Sequence, residues 1–214
     1  MKMKEEFYKR AVTLALITIF YNLGEGVVSV WFGMEDEVLS LFGFGLDSFA
    51  EVISGMGIWH LVRRLRQNKD VHPDKFEQNA LKITGTSFYI LAAGLVGTAM
   101  ASLYQGHAPE TTFWGMAVAL VSILSMGLLI YYKIKVGRQL DSQAILADAN
   151  CTKTCMYLSV VLLVSSAGYE LTGMGGIDSV GALIIAVISI KEGHESFQKA
   201  KGKACCCSEK ESCG

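Results

Sequence analysis

Two pairs of side chains in the 214-residue chain are spaced for joint chemistry. In "GLDSFAEVISG", Asp47 and Glu51 stand four apart, and in "ADANCTKTC", Cys151 and Cys155 repeat that spacing. On a helix, positions i and i+4 share a face, so each pair projects two ligand-type groups in one direction. Two adjacent carboxylates at low dielectric repel unless a proton or a cation lies between them. Asp47 and Glu51 therefore read either as a protonated or snorkelling acid pair or as half of a cation site. The cysteines alone read first as small apolar packing residues. Taken with the carboxylates, two helices offering two ligands each could close a tetrahedral shell, and zinc accepts both thiolate and carboxylate.

The segments that carry these pairs are membrane helices by their composition. Hydrophobic residues make up 51% of the chain, and the stretches from Ile83 to Gln105 and from Thr111 to Tyr132 contain no charge. Each exceeds the roughly 20 residues needed to cross a hydrocarbon layer. The expected fold class is an all-α membrane protein with six transmembrane helices. The apolar segments are Ala11–Phe32, Val38–Val62, Ile83–Tyr104, Phe113–Tyr132, Ala144–Leu171 and Met174–Ile190. Pro73 and Pro109 both fall between them, where a helical bundle tolerates proline. The N-terminal "MKMKEEFYKR" leads into no short apolar core with a small-residue cleavage site, so the first helix is expected to be retained.

Charge sets the orientation. Every one of the 19 lysines and arginines except Lys153 lies before the first segment, in the second-to-third and fourth-to-fifth connections, or after the sixth. The alternate connections, "GMEDEV", "QGHAPETT" and "LTGMGG", contain none. The positive-inside rule places both termini in the cytoplasm. Topology accounts for the basic loops, so nucleic-acid binding is not needed to explain them. All six cysteines then fall on the cytoplasmic side, where clustered thiols indicate metal binding or redox chemistry rather than structural disulfides.

Ionisable residues inside membrane helices are costly and usually functional. Beyond the two pairs they are Glu25 in the first helix, Asp148 and Lys153 early in the fifth, and Glu170 and Asp178 near the outer ends of the fifth and sixth. Helices three and four carry none, so the other four are expected to surround a polar path with three and four as scaffold. Glu25, Asp148 and Asp178 are candidates for accessory ligands or a proton relay. Asp148 is expected to cap or line the cytoplasmic mouth, and Lys153 to turn away from Cys151 and snorkel. His60, His72, His107 and His194 read as surface residues.

At these residues the chain resembles the membrane domain of the cation diffusion facilitator family. That family draws its metal site from an Asp/His-x-x-x-Asp pair in helix two and a His-x-x-x-Asp pair in helix five. Asp47 and Glu51 match the first pair, and Cys151 and Cys155 fall on the histidine and aspartate of the second. "GIDSVGALIIAVISIKEGHESF" is similar to the family's sixth helix, with Asp178 at its start. The similarity runs from about Glu5 to Phe197. Two departures stand out: Glu51 replaces an aspartate, and two thiols replace the helix-five pair. The family's cytoplasmic C-terminal domain is not expected, since 17 residues follow Phe197.

The resemblance implies a six-helix cation-efflux-type domain over 1–197, followed by a disordered cytoplasmic tail over 198–214. It implies a secondary transporter in a plasma membrane, of bacterial inner-membrane type, exporting a metal in exchange for protons. Partners would be the metal cation, protons and the lipid bilayer, with a homodimer compatible and no enzymatic cofactor. Thiols favour zinc, cadmium, mercury or copper(I) over manganese, magnesium and calcium. Four deprotonated ligands overcompensate a divalent ion, so a ligand stays protonated or a cation such as Lys153 compensates. A metal-binding accessory protein, an importer and a membrane thiol oxidoreductase are the alternatives. No nucleophile–base–oxyanion set or nucleotide loop is present to suggest an enzyme. The tail "KGKACCCSEKESCG" offers Cys205, Cys206, Cys207 and Cys213, which read as capturing a soft ion or as a lipidated anchor. If they capture, truncation at Ala204 lowers transport at scarce metal, and an unaltered dose response excludes that role.

Overall fold

A computed structural model of the chain describes residues 2–67, 75–106, 111–140, 142–174 and 176–201. Among the described residues there are six helices: α1 (Lys2–Glu35), α2 (Leu39–Arg66), α3 (Lys75–Gln105), α4 (Phe113–Leu140), α5 (Gln143–Thr172) and α6 (Gly176–Ala200). Each expected apolar segment is a helix, and each helix outruns its apolar stretch. Backbone hydrogen bonding continues past the hydrocarbon wherever no proline or left-handed residue stops it. The extension matters most in α4, which carries on from Tyr132 to Leu140, and in α6, which carries on from Ile190 to Ala200.

Helices α1 to α5 are each long and apolar enough to cross a membrane. In α6, Asp178 near the start and Lys191 and Glu192 near the end interrupt the apolar run. The helices run up and down in turn, which brings the start of α1 and the end of α6 to the same end of the bundle. The middle of the arrangement is α2, which packs against α1, α3, α5 and α6. Around it, α1 also meets α4, α3 meets α6, and α5 meets both α4 and α6. Leu41, Phe44, Leu95, Leu158, Leu162 and Ile185 build the main apolar core. Phe20, Trp31, Ile90, Leu124 and Val187 point outward, as side chains facing lipid must.

The α1–α2 contact is the one that positions polar groups. The connection is short, with Glu37 in the left-handed region at φ 58°. A Cβ on Gly33 would lie 2.5 Å from the Phe42 backbone nitrogen, and one on Gly45 would lie 2.8 Å from that of Val30. Only glycine lets these two backbones approach so closely, and the approach sets Asn22 and Glu25 against Glu51 and Ser48. Gly33→Ala is expected to destabilise the protein by about 1–3 kcal/mol, as overpacking does. Thermal unfolding of the purified protein in detergent measures this, and an unshifted midpoint would contradict it.

Candidate functional site

Glu51 and Cys155 meet across the α2–α5 interface, with the Cys155 thiol donating to Glu51 Oε1. The other oxygen of Glu51 accepts from Asn22 Nδ2 at 2.8 Å. Three helices therefore converge on one carboxylate. Asp47, one turn along α2, is 3% exposed. Its Oδ1 is buried without a hydrogen-bond partner. Glu25, Glu51 and Glu192 all lie within electrostatic reach of Asp47. A buried carboxylate oxygen with no donor, beside a second carboxylate and a thiol, is a donor set open to a cation.

Cys151 lies one turn from Cys155 toward the end of the bundle where α1 begins and α6 ends. It faces a polar cavity of about 30 Å³, and Lys199 Nζ of α6 donates to its sulfur at 2.9 Å. Thr18 and Asn22 of α1, Glu51 and Ser54 of α2, Asp148 and Thr152 of α5, and Glu192 and Ser196 of α6 also line the cavity. Glu51 thus belongs both to the cavity and to the contact with Cys155. In this conformation the four expected ligands do not stand as a closed shell. Among the described residues, no group of three or more His, Cys, Asp or Glu side chains is assembled to hold a metal ion.

The expected polar path of α1, α2, α5 and α6 matches the cavity lining, to which α3 contributes only Phe88. The expectation that α4 is uncharged scaffold is corrected. Because α4 continues past Tyr132, Lys133 is inside the helix rather than in a loop, and it is 1% exposed. Its ammonium lies 2.9 Å from Asp148 Oδ2 and donates to Thr152 Oγ1 at 2.9 Å. Asp148 lines the cavity mouth and is not a cap, since Ser142 occupies the N-cap position of α5. Lys153 donates to Asn150 Oδ1 at 3.1 Å. The lysines that approach the cavity residues are Lys133 and Lys199.

Glu25 accepts from Tyr21 Oη at 2.9 Å and from Ser48 Oγ at 3.1 Å, on the side of α2 that faces α1. Asp178 lies away from the cavity and caps α2 from α6. It accepts from the Leu39 backbone N–H at 2.8 Å, the Ser40 N–H at 3.2 Å and the Ser40 hydroxyl. The first N–H groups of a helix have no partner inside it, and hydrocarbon offers none. Glu170 does the same for α4, accepting from the Thr112 N–H at 2.9 Å. His194 is exposed and His60 is half-buried. His72, His107 and the tail cysteines Cys205, Cys206, Cys207 and Cys213 lie outside the described residues.

Glu192 and Lys199 of the cavity lining, and Lys133 behind it, all lie where α4 and α6 continue beyond the apolar segments. The signal was present in spacing: Glu192, Ser196 and Lys199 continue one face of α6 at helical intervals.

The chain is thus a six-helix integral membrane protein with Glu25, Asp47, Glu51, Cys151 and Cys155 turned inward. The cation efflux transmembrane domain matches residues 12–201, and the chain belongs to that family. A Methanocaldococcus jannaschii protein that bears the name uncharacterized transporter is 25% identical over 180 residues. The shared region covers 82% of this chain and 63% of that relative, so this chain spans less than two thirds of the relative's length. Since Asp178 occupies its carboxylate with the start of α2, Asp178→Asn is expected to lower stability by about 1 kcal/mol and to leave cation affinity unchanged. Parallel melting and metal-binding measurements check this; lost affinity at unchanged stability would refute the capping role.

Proposed function

We propose that the protein is a secondary transporter that exports a soft or borderline metal cation in exchange for protons. Zinc and cadmium lead the candidates, with mercury and copper(I) behind them. The observation that carries the reading is the meeting of Glu51 and Cys155 beside Asp47, whose Oδ1 has no donor. Membership of the cation efflux family supports the transport class. Thiols supply the preference for soft ions, which gain from sulfur ligands what hard oxygen-seeking ions do not.

The cation enters through the cavity at the end where α1 begins and α6 ends, which the basic residues of the sequence assign to the cytoplasm. It meets Cys151 and Glu51 first, then passes one helical turn along to Asp47, Glu51 and Cys155. Glu51 belongs to both positions and hands the ion between them. Thiols and carboxylates give up protons when they take a metal. Protons arriving from the opposite side therefore displace the ion, and the exchange of one for the other is the coupling. Glu25, hydrogen-bonded to Tyr21 and Ser48 on the far side of α2, is placed to pass those protons.

Proteoliposomes loaded with a zinc or cadmium reporter test the reading. Asp47→Ala, Glu51→Gln and Cys155→Ser are each expected to lower transport by more than the roughly 10–100-fold that loss of an outer-shell partner costs. Expression and melting should stay near those of the native protein. The double variant Cys151→Ser/Cys155→Ser is expected to shift preference toward manganese and cobalt. Native flux in Asp47→Ala, or an unchanged metal order in the double cysteine variant, would overturn the reading.

A further inference from the structure

The buried ion pair between α4 and α5 borders the proposed pathway: Asp148 lines the cavity, and Lys133 stands behind it. Lys133 is 1% exposed, and the side chain of its partner Asp148, which lines the cavity, is 14% exposed. The ammonium is held by Asp148 Oδ2 and Thr152 Oγ1, each at 2.9 Å. The charge of Lys133 also reaches Glu51. Stability alone is a poor reason for such a pair, since desolvating two ions offsets most of their attraction and apolar residues would join the helices as well. What an apolar pair could not do is fix the charge of the cavity wall.

We infer that Lys133 is a specificity-determining residue of the proposed transporter. It ties up Oδ2 of Asp148, withholding that oxygen from the cavity, and its charge opposes the attraction that Glu51 exerts on any cation. Hard divalent ions bind through charge and the number of oxygen ligands. Soft ions also gain from bonds to sulfur, which Lys133 leaves untouched. The pair therefore handicaps manganese and magnesium more than cadmium and zinc, working alongside the thiols. Lys133 acts through Asp148 and does not itself touch the cargo.

The inference rests on the proposed cation pathway, and equilibrium dialysis of the purified full-length protein in detergent separates the two. Cd²⁺ and Mn²⁺ are the probes, measured one at a time on four proteins: native, Lys133→Met, Asp148→Asn, and the double variant Lys133→Met/Asp148→Asn. Freeing Asp148 in Lys133→Met is expected to raise Mn²⁺ affinity about tenfold, as an added charge at close range does, and to raise Cd²⁺ affinity distinctly less. The double variant should return Mn²⁺ binding to the native level. Asp148→Asn leaves the lysine charge unopposed and is expected to weaken Cd²⁺ about tenfold, with the double variant restoring it. That second arm stands if Lys133→Met alone fails to fold. A native Mn²⁺ to Cd²⁺ affinity ratio in Lys133→Met, or native Cd²⁺ affinity in Asp148→Asn, would overturn the inference while leaving the pathway intact. Absence of Cd²⁺ binding in the native protein would overturn both.

Discussion

A carboxylate in hydrocarbon must find a proton, a donor or a cation, and α2 carries two of them one turn apart. The bundle is built around answering that demand. Glycine contact brings α1 close enough for Asn22 to reach Glu51, and α5 supplies Cys155 to the other oxygen. Of the two α2 acids, Asp47 is the one left with a buried oxygen lacking a hydrogen-bond partner. The central place of α2 follows, because a helix with acids on one face must be surrounded by helices able to satisfy them. The apolar faces of the other helices then turn to lipid.

The same demand is met differently at the two ends. At the end where α2 and α4 begin, Asp178 and Glu170 are spent on the first N–H groups of those helices. These carboxylates hold helices in register across elements far apart in sequence, and they need no cargo. At the end where α1 begins and α6 ends, the carboxylates of Asp148 and Glu192 share a cavity with a thiol and the Lys199 ammonium, and Lys133 pairs with Asp148 from behind. Fixed positive charges there make the cavity less than fully attractive to cations. In the proposed cycle that moderation is useful, because an ion held too tightly is never released.

Much of the fold was legible in the chain. Two charge-free runs longer than a bilayer crossing, alternating basic connections and prolines confined to loops specify six antiparallel helices with both ends together. The motif pairs were legible for the same reason, since helical periodicity puts residues four apart on one face whatever surrounds them. Helix ends were less readable. A transmembrane helix does not stop where the lipid stops, so the apolar runs end short of α4 and α6 and leave Lys133 and Lys199 looking like loop residues. A lysine at the edge of an apolar run snorkels or turns inward with equal ease as far as composition is concerned.

Local sequence by itself determined the helices, their alternation, and which faces carry acids and thiols, because those depend on periodicity and transfer from water. Tertiary structure decided which of those groups meet. It set Glu51 against Cys155 while leaving Cys151 to Lys199, and it gave Asp178 to the start of α2. It also turned Lys133 inward to Asp148 instead of outward to the membrane surface. Such pairings depend on how close two backbones come and how one helix is rotated against another. Those quantities are fixed by packing among residues as far apart as Leu39 and Asp178, and no local window of sequence contains them.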